Sequence, residues 1–308
     1  MTLFDQLGTE QPNPRTVDID RLDSLAILER LNAEEQLVAS AVRAALPELA
    51  RAVDVAVERW QRGGRVVLFG AGTSGRLAML DAAELGPTFG VPPDRYLARM
   101  AGGAEAFLRA VEGAEDDSGA GAQAASDLDA ADVAFGIAAS GRTPWVIGAL
   151  STARRLGAAT IALACAPHPL MAEHVDIVIA VDTGPEPIAG STRMKAGTAQ
   201  KLVLNSFSST LMIRLGKVYS NLMVDVQATN EKLRRRAVRL VEQAAAVDTA
   251  TAEQALAQAN GEVKTSIALL QLGIGVDEAR QRLHTMDGSL RRVIDEGRTH
   301  PAANRPVN

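Results

Sequence analysis

Five short apolar runs, at residues 66–69, 96–100, 133–138, 160–163 and 175–181, constrain this chain more than any other feature. Most are continuously apolar instead of alternating, the pattern of strands covered on both faces. Helix-like segments separate most of them, and parallel strands need such crossovers. The spacing therefore predicts an α/β fold, a doubly wound parallel sheet flanked by helices.

The first run ends in GAGTSG at 70–75, and a helix-like segment follows over 76–85. A glycine-rich turn into a helix leaves free N–H groups facing the turn, where an anion is favoured. Gly72, Thr73, Ser74 and Gly75 are the candidate binding residues. The third run leads into ASGRTP at 139–144, ahead of a helix-like 145–156, and supplies Ser140, Gly141 and Thr143 with Arg142 nearby. Two hydroxyl-rich turns on one sheet suggest two arms closing on one phosphorylated ligand. The competing reading is that Ser and Thr merely cap the helices. Thr73 and Ser74 in the middle of the first turn speak against a dinucleotide, and no Gly-Lys-Ser/Thr triplet follows as a Walker loop needs, so a sugar phosphate fits better.

A length of 308 residues, 47% hydrophobic and 22% charged, is enough for one sizeable core and a small appendage. The net charge of −5 argues against broad nucleic-acid binding. Arg234, Arg235, Arg236 and Arg239 share a helix pattern with Glu231 and Glu242 and read as a solvated or subunit-facing face. Cys165 is the only cysteine, which leaves no internal disulfide or thiolate zinc cage, and it reads as a buried, inert thiol. No run of about twenty apolar residues and no basic leader pattern is present, so no membrane contact and a cytoplasmic location are expected.

Along the chain, Pro12 and Pro14 make 8–15 an extended arm. Amphipathic helices are predicted over 18–31 and 33–60 with a break at Pro47, and Gly63 and Gly64 close them. A loop at 184–196 carries Ser191, Thr192 and Lys195 toward the same crevice, and helices are predicted over 197–213 and 218–233. Helices at 252–260, 263–272 and 276–284 then suggest a small C-terminal three-helix module, with a frayed tail from Arg298. The expected division is 1–55 for the arm and first helices, 56–220 for the sugar-phosphate domain, 221–248 for a connecting helix and 249–308 for the module.

Two carboxylates draw attention, Glu84 toward the end of the first turn's helix and Glu115 in VEGAEDD, neither on an obvious solvent stripe. Taken singly, each reads as a surface or capping residue. His168, His174, His284 and His300 are the only histidines and show no metal-like spacing.

Longer blocks resolve this. GAGTSGRLAMLDAAELGPTFG at 70–90, VEGAEDD at 111–117, IAASGRTPWV at 137–146 and GSTRMKAGTAQKLVLN at 190–205 together closely resemble the N-acetylmuramic acid 6-phosphate etherases of the sugar isomerase (SIS) superfamily. The likeness runs from TEQPNPR through GKVYSNLMVDVQATNEKL. It implies an SIS-type fold, a helical C-terminal module, a homodimer, a cytoplasmic role in recycling cell-wall amino sugars, and neither cofactor nor metal. Glu84 falls on the family's acid and Glu115 on its second active-site glutamate. Thr73, Ser74, Ser140 and Thr143 fall on its phosphate turns. This chain reads DAAELGP at 81–87 where many relatives read DASECPP, and Ala138 stands where many sugar isomerases have serine.

The reaction implied releases D-lactate from C3 of N-acetylmuramic acid 6-phosphate and leaves N-acetylglucosamine 6-phosphate. With the ring open, the C2 proton is acidic, lactate is eliminated with help from an acid, and water adds back. Glu115 is expected to take the C2 proton and Glu84 to protonate the leaving oxygen, with burial or the substrate's anions raising the pKa of Glu84. A non-catalytic sugar-phosphate regulator and an aldose-ketose isomerase are the alternative functions.

Overall fold

The computed structural model describes residues 8–226 and 230–299. The chain divides into two compact units, one of residues up to Ala83 with Pro93–Ser208, the other of Glu84–Pro92 with residues from Ser209 onward.

In the first unit the proline-bearing arm is fixed to its own chain. Asn13 and Thr16 are buried, and Thr16 Oγ1 donates to the Pro187 carbonyl at 2.8 Å. The first helix starts later than its apolar spacing predicts. Asp18 sits in the left-handed region and a 3-10 turn, Ile19–Arg21, comes first. Helix α1, Ser24–Ala44, begins only where Asp23 accepts the Ala26 N–H. Helix α2, Leu46–Gln61, follows after one residue with Pro47 in its first turn, where a missing N–H costs no helical bond.

Strand β1, Val66–Gly70, then opens the sheet. It leads through Ala71 into α3, Gly72–Phe89, longer at both ends than expected. β2, Tyr96–Met100, the single turn α4, Glu105–Leu108, and α5, Ser118–Ala124, follow. After them come β3, Val133–Ile137, α6, Pro144–Arg155, β4, Ala159–Ala164, β5, Ile177–Ala180, and α7, Lys195–Arg214, whose last residues pass into the second unit. All five strands are parallel, in the order β2-β1-β3-β4-β5. β1, β3 and β4 are buried throughout while the edge strands are only partly covered, as the apolar runs require. On one face Phe69 packs 6.0 Å from Trp145 of α6. On the other, Phe135 meets Phe207 of α7 edge-on at 4.9 Å. Each such ring contributes roughly 1.5–3 kcal/mol by burial.

Glycines set the approach of α5 to α6. A Cβ at Gly121 would fall on the Trp145 carbonyl oxygen, and one at Gly148 on the Ser118 carbonyl oxygen. Both obstacles are backbone, so neither can swing aside. Gly121→Ala and Gly148→Ala are each expected to cost about 1–3 kcal/mol, read as a lower urea midpoint.

The second unit corrects one expectation. Residues 218–233 are not one helix: β6, Val218–Tyr219, and β7, Leu222–Met223, form an antiparallel hairpin with Tyr219 opposite Leu222. Gly216 at φ 73° stops α7, and Ser220 at φ 56° makes the two-residue turn. The apolar pairs 218–219 and 222–223 mimic helical spacing, which is why the period misleads. Asn230 then caps α8, Glu231–Ala245. α9, Thr249–Gln258, α10, Val263–Leu272, and α11, Val276–Thr285, match the three predicted helices, and a fourth, α12, Leu290–Thr299, joins them. Leu240 and Val241 of α8 share a core with Ile267, Leu283, Val293 and Ile294. α8 is therefore part of this helical body instead of a connector.

Candidate active site

The chain leaves β1 toward β2 on one side and, after β2, returns to β3 on the other side of β1. The strand order thus reverses at β1 and β3, and ligands of open α/β sheets bind beyond the carboxyl ends of strands at such a point. Both glycine turns lie there, because Gly70, where the first begins, is paired in register with Ile137, two residues before the second.

In the first turn the residues point different ways. Gly72 has φ 52° and open space where a Cβ would be. It lines a cavity of about 170 Å³ with Ala71, Arg76, Glu112 and Glu115. Thr73 instead lines a second depression with Arg193, Thr198 and Lys201. Ser74 is buried, and its hydroxyl donates to Gln200 Oε1 at 2.9 Å. In the free chain that proton is committed inward. Gly75 is a packing glycine: a Cβ there would lie 2.7 Å from Met100 Cγ and 2.8 Å from the Gly70 carbonyl oxygen.

The second turn keeps its hydroxyls available. Ser140 Oγ accepts the Arg142 N–H at 3.3 Å, which leaves its proton to donate elsewhere. Thr143 stands at the N-cap of α6 but makes no side-chain cap bond, so helix capping does not account for it. Gly141 at φ 68° comes against Pro169, and its carbonyl accepts the Met171 N–H at 3.0 Å. No side chain but hydrogen fits there.

Lys195 is not where a crevice-lining residue would be. It is 0% exposed, and its Nζ donates to Glu34 Oε2 at 2.9 Å. Arg15 forks onto the same carboxylate through Nε and Nη2, and Asn13 Nδ2 donates to it at 2.8 Å. Chiefly the Arg15 hydrogen bonds, opposed by burial, hold Glu34 down at about 2. Glu186 accepts the Lys195 and Ala196 backbone N–H groups at 2.8 and 2.9 Å. It is a carboxylate at the N-terminus of α7, and burial pushes its pKa up. Lys195 is thus the buried tie among the arm, α1 and the GSTRMK loop. The pattern of apolar residues carried no signal for Glu34 as its partner.

Another buried polar cluster joins α3 to its neighbours. Asp81 accepts from Tyr96 Oη at 2.8 Å and from Ser208 Oγ at 3.0 Å, and burial pushes its pKa up. Tyr96 is raised for the same reason first. The cluster fastens α3 to β2 and α7. Burial likewise raises Cys165, whose thiol donates to the Ala196 carbonyl at 3.5 Å.

The two glutamates are both exposed, although neither lies on an obvious solvent stripe of the sequence. Glu115 sits on the 3-10 turn Ala114–Asp116 and on the wall of the cavity with Gly72. Glu84 is not among that cavity's lining residues. It lies on α3 twelve residues past Gly72. Among the described residues no group of three or more His, Cys, Asp or Glu is placed to hold a metal ion, and no helix is long and apolar enough to cross a membrane.

Residues 48–154 match the glucokinase regulatory protein N-terminal SIS domain, residues 110–209 the SIS domain, and residues 220–281 the C-terminal lid domain of glucokinase regulatory protein. Among solved structures, a phosphoheptose isomerase from Francisella tularensis aligns with 60% of this chain and 98% of its own at 22% identity and a TM-score of 0.47. The N-acetylmuramic acid 6-phosphate etherase of Yersinia pestis strain Pestoides F is 50% identical over 290 residues, 94% of this chain and 98% of the relative. The same figures hold for that of Yersinia pseudotuberculosis serotype O:1b strain IP 31758. At that identity and coverage the chain belongs to the N-acetylmuramic acid 6-phosphate etherase family.

Proposed function

We propose that this protein is a carbon-oxygen lyase that cleaves the D-lactyl ether of N-acetylmuramic acid 6-phosphate, in the cytoplasm and in amino-sugar recycling. Half of its residues are shared with curated etherases over nearly the whole chain, and that identity carries the reading. Glu115 lines a cavity together with Gly72 of the first glycine turn, which supports a part for it in the chemistry.

Alkoxide is a poor leaving group, so direct displacement of the ether is slow and elimination is the accessible route. With the sugar open-chain, Glu115 removes the C2 proton, whose electrons move toward the C1 carbonyl. The enolate then expels the C3 oxygen, which takes a proton from Glu84 and leaves as lactate. Water adds to C3 of the resulting double bond as C2 regains a proton, and the same two carboxyls exchange roles. The phosphate, held by the free hydroxyls of Ser140 and Thr143 in the second turn, supplies remote binding energy that orients C2 and C3. The segment 56–220 is assigned this chemistry and 249–308 a supporting role; no metal or other cofactor enters the scheme.

The assay is D-lactate release from the muramyl sugar. Turnover at the rate of buffer would overturn the proposal, as would rapid interconversion of fructose and glucosamine 6-phosphates without lactate. Ser140→Ala and Thr143→Ala are each expected to raise KM about tenfold with kcat little changed, the loss of one charge-assisted hydrogen bond. An unchanged KM would remove them from phosphate binding.

The active form is proposed to be a homodimer. In such a dimer one copy's Glu115 and a second copy's Glu84 flank one C2–C3 bond. Exposed Leu80 of α3, at 48%, and Leu202 of α7, at 37%, give such a copy apolar surface to cover.

A further inference from the structure

Arg76 carries a charge for which the fold gives no internal reason. Its Nε donates to the Phe107 carbonyl at 3.0 Å and Nη2 to the Ala106 carbonyl at 2.8 Å. No carboxylate forms an ion pair with it among the described residues. Yet it is the one cation lining the cavity that Gly72 and Glu115 share, and Glu112 lines it too. A neutral side chain could satisfy two carbonyls. A guanidinium whose second edge is left over suits an anion presented in a plane.

We propose that Arg76 recognises the lactyl carboxylate of the substrate and is thereby the residue that separates substrate from sugar product. This rests on the etherase reading. Glu115 acts at C2, and the lactyl oxygen is on the adjacent C3 with its carboxylate one carbon beyond that oxygen. The phosphate, on C6, lies at the other end of the open chain. A cation in the same cavity as the C2 base therefore meets the carboxylate. The charge pairing also holds the departing lactate as the C3–O bond lengthens. Once lactate has gone, the aminosugar product has no anion near Glu115, and Arg76 no longer retains it.

The test compares muramyl 6-phosphate with its lactamide, in which the carboxylate is neutral while ether and phosphate are intact. Wild-type protein is expected to prefer the carboxylate in kcat/KM by about 10- to 100-fold, the range of a charge-assisted pair. Arg76→Gln should lose that preference, falling on the carboxylate substrate and changing less than threefold on the lactamide, while Arg76→Lys retains part of it. If Arg76 only braces the loop through the two carbonyls, Arg76→Gln lowers both substrates equally and the preference survives, which overturns the assignment. A wild type without preference overturns it as well. A wild type releasing lactate from neither substrate overturns the etherase reading, a result distinct from both.

Discussion

Subunits carrying Glu84→Gln and subunits carrying Glu115→Gln, each alone slowed about 10²- to 10⁴-fold, are expected to recover about a quarter of wild-type lactate release when mixed in equal amounts and re-paired at random. In a site built from one copy's Glu115 and the other copy's Glu84, a mixed dimer has one intact site and one doubly altered site. Random pairing makes roughly half of the dimers mixed, and half of their sites are intact. In a site built within one chain, every site lacks one carboxyl and nothing is recovered. Co-expression with two affinity tags isolates the mixed dimer, whose activity should be about half that of wild type. Each single variant also separates the two roles. Glu84→Gln retains the C2 base and should still exchange the C2 proton with heavy water, whereas Glu115→Gln should not. Exchange by Glu115→Gln at the wild-type rate would assign the base elsewhere.

The sheet was legible because its residues obey one rule. Runs such as VVLFG at 66–70 and VAFGI at 133–137 are apolar on both faces, and only strands between two layers of helices need that. The second unit was harder, because residues 218–223 place apolar pairs at a spacing shared by a helix and a hairpin. There the positive φ of Gly216 and Ser220 decides, and such a turn is set by a few residues instead of a period. Helix α12 had its signal in Leu290, Val293 and Ile294, which all enter the core.

The site was legible in its turns and less so in its side chains. GAGTSG has the glycine spacing of a dinucleotide turn, G-x-G-x-x-G. The spacing therefore separates nothing, and the hydroxyls and the longer blocks carry the distinction. Within that turn Gly72 faces a cavity while Gly75 serves packing, a difference that no local pattern encodes. Arg76 follows the turn directly, yet its place beside Glu115 depends on a loop some forty residues later. Lys195 resembled a ligand residue because its loop is polar, but the long-range partner Glu34 takes its charge.

That partnership predicts the largest stability effect in the protein. Glu34→Ala should cost about 3–5 kcal/mol, the range for breaking a buried ion pair, read as a fall in the urea midpoint with the slope unchanged. The substitution leaves the Lys195 ammonium buried and unpaired at the N-terminus of α7, where the helix dipole also disfavours a cation. Lys195→Met should cost less, because Glu34 keeps Arg15 and Asn13. Combining Glu34→Ala with Lys195→Met should restore part of the loss, since no uncompensated charge remains. Strict additivity of the two would remove the coupling on which this rests. The pH dependence has a fixed sign. The folded value for Glu34, about 2, lies below the ordinary 4.5, so its stabilisation is complete above the unfolded value and is lost as pH falls toward the folded one. Glu186, raised by burial, works in the opposite direction, because the folded state takes up its proton more readily. Glu34→Gln isolates the first effect from the second. The stability gap between wild type and this variant should be widest at neutral pH and should close as pH is lowered from about 4.5 toward 2. A gap independent of pH would mean that the Glu34 charge contributes nothing, and that its hydrogen-bond geometry alone holds the arm to α1 and the GSTRMK loop.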